Sequence, residues 1–104
     1  MKLAIQTVLL PGTTFGEKFD NAASYGFDAV EVTLTPELNL DKAYLEIDNA
    51  MKSSGLPVAD ICTFKAHDPV NLDPADRKLR LDTLTKIFAF SEALGASGVV
   101  SVPI

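Results

Sequence analysis

The sequence repeats one unit three times: a short apolar run, a polar loop, an amphipathic helical segment and a glycine. The apolar runs cover 3–8, 29–34 and 58–64, and the closing glycines are Gly26, Gly55 and Gly95. A fourth apolar run, 99–102, follows the last of these glycines. Strands that alternate with helices in this way are typical of parallel strands joined by right-handed crossovers. The sequence therefore predicts an α/β fold with four parallel strands and three helices.

The predicted helices carry recognisable start signals. Thr14 and Glu17 have the spacing of a capping box, and Asp73 followed by Pro74 is an N-cap with proline in the first turn. Apolar residues at helical spacing follow each start, and we expect them to face the sheet. They are Phe15, Phe19, Ala22 and Ala23 in the first helix, Leu40, Tyr44, Ile47 and Met51 in the second, and Leu81, Leu84, Ile87, Phe88 and Leu94 in the third.

Both faces of the predicted sheet are apolar, although the helices cover only one. Three successive units of similar length put every helix on the same side, unlike a doubly wound sheet. Yet Ala4 stands beside Ile5, and Val99 beside Val100. In a closed TIM barrel of about 250 residues, the second face is the packed interior. We expect the 104 residues to form a single domain, 1–104, that is half of a TIM barrel.

Composition excludes several classes of function. The net charge is −5, which disfavours nucleic-acid binding because that requires clustered Lys and Arg. The single cysteine, Cys62, cannot form an internal disulfide, and no secretion signal or stretch of about 20 apolar residues is present. We therefore expect a cytoplasmic protein that contacts neither nucleic acid nor membrane.

The residues Gly26-Phe27-Asp28-Ala29-Val30-Glu31-Val32 resemble the second strand of the xylose-isomerase-like barrels, the superfamily of sugar phosphate isomerases and epimerases. The stretches 70–74, 77–80 and 93–96, followed by 99–100, also resemble the third and fourth strand region of that superfamily. The resemblance runs in register along the whole chain. It implies that the chain is the N-terminal half of such a barrel, with an isomerase or epimerase as its family-level function.

The same resemblance implies a divalent metal, Mn, Mg or Zn, in the full-length family. Its members hold the metal with two glutamates, an aspartate and a histidine from strands five to eight. This chain is expected to end before those strands. We therefore expect no cofactor, no metal ligand and no catalytic residue in these residues, and an inactive chain when it stands alone. Whether it acts as an enzyme stays open.

Four residues are predicted to contact a substrate, because barrel enzymes bind substrates at the carboxyl ends of their strands. Glu31 either points into the barrel toward a sugar hydroxyl or is a paired buried carboxylate. His67, in the loop after strand three, either faces the active-site mouth or is an exposed histidine without a role. Thr63 and Ser101 either donate hydrogen bonds to the substrate or fill space inside the barrel.

Two alternative functions remain open. The first is a non-catalytic barrel fragment that self-associates through its uncovered sheet face. The second is a dehydroshikimate-dehydratase-like lyase, because 7–12 also resembles that branch of the fold. The apurinic endonuclease branch is disfavoured, since Val102 stands where it has a metal-binding histidine. An uncovered face with two open edges predicts a homo-oligomer, such as a dimer, or a second half-barrel as partner. The resemblance adds a sugar or sugar phosphate as ligand.

Overall fold

The computed structural model describes residues 1–63, 70 and 72–101. In chain order, its elements are β1 (Ala4–Gln6), a 3-10 turn (Thr7–Leu9), α1 (Phe15–Ser24), β2 (Ala29–Thr33), α2 (Leu40–Ser54), β3 (Val58–Cys62), α3 (Pro74–Ala93) and β4 (Val99–Val100). The prediction of four strands and three alternating helices is confirmed. Within the described part of the chain, no helix is both long and apolar enough to cross a membrane.

The strands form one parallel sheet in the order β1-β2-β3-β4. Because each right-handed crossover moves one position in the same direction, all three helices lie on one face of the sheet. Val30, Val32 and Ile61 are fully buried on that face. The helical side chains that meet them include Phe19 and Ile47, which are also fully buried. The core therefore lies between the sheet and a single helical layer, as in half of a barrel.

The helix starts follow the predicted cap chemistry. Thr14 Oγ1 accepts a hydrogen bond from the Glu17 backbone N–H at 3.1 Å. The Glu17 carboxylate reaches back, but it accepts from the Thr13 N–H at 2.8 Å, one residue earlier than in a standard capping box. Asp73 Oδ1 accepts from the Ala75 N–H at 3.1 Å, with Pro74 at the start of α3. These contacts satisfy N–H groups that have no partner inside the helix.

The inward face of α3 differs from the prediction at two positions. Leu84 and Ile87 are buried as predicted, whereas Leu81 and Phe88 are 48% and 56% exposed. Helical spacing puts Leu81 and Phe88 on one flank of α3, and Phe90 on the opposite flank, which faces α2. Among the described residues, no helix follows α3 to cover the first flank. These two side chains lie where the next helix of a complete barrel would pack.

Gly55 and Gly98 allow the cost of a left-handed backbone to be measured apart from the cost of steric crowding around an added side chain. Gly55 ends α2 at φ +78°, whereas Gly98 has no positive φ, and neither has an atom within 4 Å of an added Cβ. We expect Gly55→Ala to destabilise the protein by about 1–2 kcal/mol, because a left-handed backbone strains an L side chain. Gly98→Ala should be neutral or slightly stabilising. Urea denaturation of both variants measures this, and equal free energies of unfolding would contradict it.

Candidate functional site

The sheet face opposite the helices carries a row of polar side chains, Gln6, Glu31 and Asp60. Parallel pairing aligns Gln6 with Glu31 and Glu31 with Asp60. Each of the three alternates along its strand with a residue that faces the helices, so all three point to the uncovered face. All are half-buried. We call this set the inner row, since it lies on the face that a closed barrel would enclose.

An irregularity in the β2–β3 pairing creates this row. Val30 pairs with Val58, but Glu31 pairs with Asp60, so Ala59 is an extra residue on β3. With regular pairing, Glu31 would lie opposite Ala59, and Asp60 would turn toward the helices. The bulge therefore brings the two carboxyl groups side by side.

A hydrogen bond joins Gln6 to Glu31, with Gln6 Nε2 as the donor and Glu31 Oε1 as the acceptor. The Asp60 carboxyl group lies beside that of Glu31, because the two residues are paired across β2 and β3. Burial, followed by the hydrogen bond and negative charge of Glu31, raises the pKa of Asp60 from an ordinary 3.8 to about 6. Two adjacent carboxylates repel each other, so a proton shared between them stabilises the pair. The inner row is therefore a carboxyl pair fixed on one side by an amide.

Cys62 follows Asp60 on the same face of β3. It is buried and free, and burial raises the pKa of its thiol, with smaller contributions from the negative charges of Glu31 and Asp60. A thiol must lose its proton to act as a nucleophile. Cys62 therefore serves as a small buried side chain beside the inner row, nearer the carboxyl end of β3.

Three of the four residues predicted to contact a substrate lie in the described part of the chain. Glu31 lies at the centre of the inner row. Thr63 follows β3 and is 3% exposed, and its Oγ1 donates to the Val100 carbonyl at 3.3 Å. Ser101 is exposed directly after β4. Thr63 and Ser101 thus lie at neighbouring strand ends, with the Thr63 hydroxyl already bonded to the backbone of β4. His67 lies outside the described residues.

Sequence reasoning missed Gln6 and Asp60. One signal was available for Asp60, because it is an acidic residue inside an apolar strand, as Glu31 is. A charge in such a strand needs a partner. The pairing of the two, however, depends on the bulge, which the sequence does not reveal.

The metal centre that the resemblance implies belongs to strands five to eight, whereas the described residues form strands one to four. In 1–63, 70 and 72–101, no group of three or more His, Cys, Asp or Glu side chains could hold a metal ion. Glu31 and Asp60 provide two neighbouring carboxyl groups, whereas hard divalent cations take about six oxygen ligands. No step of a reaction is therefore assigned to a metal at the inner row.

Comparison with known proteins identifies the family. The family model described as "Xylose isomerase-like TIM barrel" matches residues 19–103. The chain belongs to this family. Similar solved structures include the 3-keto-D-glucoside 4-epimerase YcjR from E. coli, with a TM-score of 0.79 and 25% sequence identity. The match covers 95% of this chain and 36% of the epimerase, so the chain spans about a third of that protein's length. No curated protein matches. The resemblance to the family and the half-barrel architecture are confirmed.

The raised pKa of Asp60 makes stability depend on pH. The folded protein binds the Asp60 proton more tightly than the unfolded chain does. The stability that this proton contributes is complete below about pH 3.8 and is lost as the pH rises through about 6. We expect the thermal midpoint of the wild type to fall over this range. Asp60→Asn should flatten the fall, because the amide keeps the shape and carries no charge.

Circular dichroism melts at several pH values between about 4 and 8 test this expectation. Asp20→Asn is the matched control, because Asp20 is exposed on α1. Its pH profile should follow that of the wild type. A fall of equal size in the Asp60→Asn variant would contradict the shared proton.

Proposed function

We propose that this chain supplies part of the substrate-binding surface of a barrel that isomerises or epimerises sugars or sugar phosphates. The observation that carries the proposal is the inner row, Gln6, Glu31 and Asp60, on the face that a barrel encloses. Family membership supports a barrel of this kind. The similarity to an epimerase that acts on 3-keto-D-glucosides supports the class of chemistry.

The chemistry of the row suits a polyhydroxylated ligand. Sugar hydroxyls both donate and accept hydrogen bonds. Carboxylate oxygens accept them, and the Asp60 carboxyl group, whose pKa is raised to about 6, can also donate when it is protonated. Gln6 holds one oxygen of Glu31, so the carboxyl group is oriented before a ligand arrives. Such preorganisation reduces the entropy lost on binding. In this proposal, Glu31 contacts a substrate hydroxyl, and Gln6 and Asp60 position it. Thr63, Ser101 and His67 remain secondary candidates for the same mouth.

Proton transfer at the carbon beside a carbonyl requires a group that polarises the carbonyl oxygen, in addition to the inner row. A divalent metal, Mn, Mg or Zn, polarises the carbonyl oxygen when it is bound. We propose that its ligands belong to further strands of the completed barrel. The chain by itself is then inactive, and its contribution is to bind and orient the substrate.

Solvent exchange tests the proposed chemistry without requiring the substrate's identity to be fixed in advance. A complete barrel that contains this segment should exchange the proton beside the carbonyl of a ketose or sugar phosphate for deuterium in D₂O, as followed by proton NMR. The exchange should stop when EDTA removes the metal. The chain alone should show none. Exchange that persists without metal in the complete barrel would contradict this assignment.

The role of Glu31 has a separate test in the same barrel. Glu31→Gln should lower kcat/KM about 10- to 100-fold, because a hydrogen bond to a charged group contributes about 1.5–3 kcal/mol. Glu92→Gln is the control, since Glu92 is exposed on α3, and it should leave kcat/KM unchanged. If both variants keep the wild-type value, Glu31 does not contact the substrate.

The uncovered face also predicts a partner. Ala4 is exposed, and Val100 is 43% exposed where it pairs with Cys62 at the edge of the sheet. β1 and β4 are both open edges among the described strands, and such edges favour pairing with further strands. We propose that a second half-barrel covers this face, or a second copy of the chain in a homo-oligomer such as a dimer.

Removing the apolar side chain at this edge should weaken the association. We expect the chain to sediment as a dimer or larger species, and Val100→Lys to shift it toward the monomer, because the lysine would bury a charge in the contact. Leu45→Lys is the matched control, since Leu45 is 63% exposed on α2. It should leave the oligomeric state unchanged. A wild-type chain that stays monomeric across concentrations would contradict self-association.

A further inference from the structure

The inner row places two acidic side chains on the face that a barrel encloses. Glu31 and Asp60 are paired across β2 and β3, and neighbouring strands lie about 4.8 Å apart. Both residues are half-buried while the face is uncovered. Covering the face removes more water from them, and two adjacent carboxylates in a dry interior are unfavourable unless a cation or a proton neutralises one of them.

No basic side chain neutralises this pair in the part of the chain that the structure describes. The described ion pairs all lie within α2 or α3. Glu31 faces Asp60 from β2, Cys62 lies beside it on β3, and Gly98 stands before β4 at the adjacent position. Gln6 of β1 is an uncharged amide. A proton is therefore the neutralising group that this arrangement favours.

Two lysines near β1 do not change this balance. Lys2 stands four residues before Gln6, which separates them by about 13 Å along the strand. Lys18 belongs to α1 on the other face of the sheet, where its Nζ donates to two backbone carbonyls. A proton on Asp60 leaves one carboxylate in the row, that of Glu31, and the Gln6 amide already donates to it.

A second copy of the chain is the cover that the strand count favours. An eight-stranded barrel has an interior that side chains just fill, and this chain provides four parallel strands with β1 and β4 as the edges of the described sheet. A two-fold axis allows β4 of each copy to pair with β1 of the other. Closure of this kind brings four carboxyl groups, two from each inner row, into one interior.

We propose that protons control this closure: two copies associate when each inner row takes up a proton, and they separate when the rows lose it. The inference rests on the self-association put forward in the proposed function. Burial, and then the neighbouring Glu31, already raise the pKa of Asp60 to about 6 in a single copy, and enclosure raises it further because burial disfavours the charged form. Association is therefore strongest below about pH 6 and weakens as the pH rises above it.

Sedimentation velocity at about pH 5.5 and pH 8, over a range of concentrations and at constant ionic strength, tests this inference. The dissociation constant of the wild type should rise at least about tenfold between the two pH values, because closure takes up protons. Asp60→Asn should associate equally well at both. Asp20→Asn is the matched control, since Asp20 is exposed on α1. It changes the net charge by the same amount and should keep the pH dependence of the wild type.

Glu31→Gln provides a second variant if Asp60→Asn fails to fold. Its single remaining carboxylate gives the row the charge of the protonated wild type, so its association should also be independent of pH. Equal pH dependence in the wild type and in both of these variants would overturn the inference. A wild-type dimer with the same dissociation constant at both pH values would overturn it and leave the proposed self-association intact. A chain that is monomeric at both pH values would overturn both, so the two failures are distinguishable.

Discussion

Packing of three helices against one face of a four-stranded parallel sheet determines the rest of this structure. Sequential strand order and right-handed crossovers leave the helices no second side to occupy. Burial of Val30, Val32 and Ile61 beneath them contributes to the hydrophobic stabilisation of the fold. The same arrangement leaves the opposite face uncovered. Every functional proposal for this chain concerns what that face, or the strand ends beside it, can bind.

The uncovered face combines two features that conflict in an isolated sheet. Apolar side chains such as Val100 favour contact with another surface, whereas the inner row favours a polar ligand or water. A barrel interior reconciles them, because layers of side chains fill its lower part and polar groups remain near the carboxyl ends. The exposed flank of α3, with Leu81 and Phe88, fits the same interpretation. Both surfaces are those that further strands and helices of a barrel would cover.

A single extra residue gives the inner row its chemistry. The bulge at Ala59 turns Asp60 to the face where Glu31 already lies. Burial and the neighbouring Glu31 raise the pKa of Asp60, and Gln6 fixes the orientation of Glu31.

The amino-acid sequence by itself determined the α/β class, the order of elements, the caps at Thr14 and Asp73, and the family. These features follow from local chemistry: hydrophobic periodicity, capping hydrogen bonds and glycines at left-handed positions are set by neighbouring residues. It also singled out Glu31. Only the tertiary structure decided that Glu31 meets Gln6 and Asp60, and that the Thr63 hydroxyl bonds to β4. It also decided that Leu81 and Phe88 stay exposed. Strand register and helix rotation depend on contacts between residues far apart in the chain, and no local pattern encodes them.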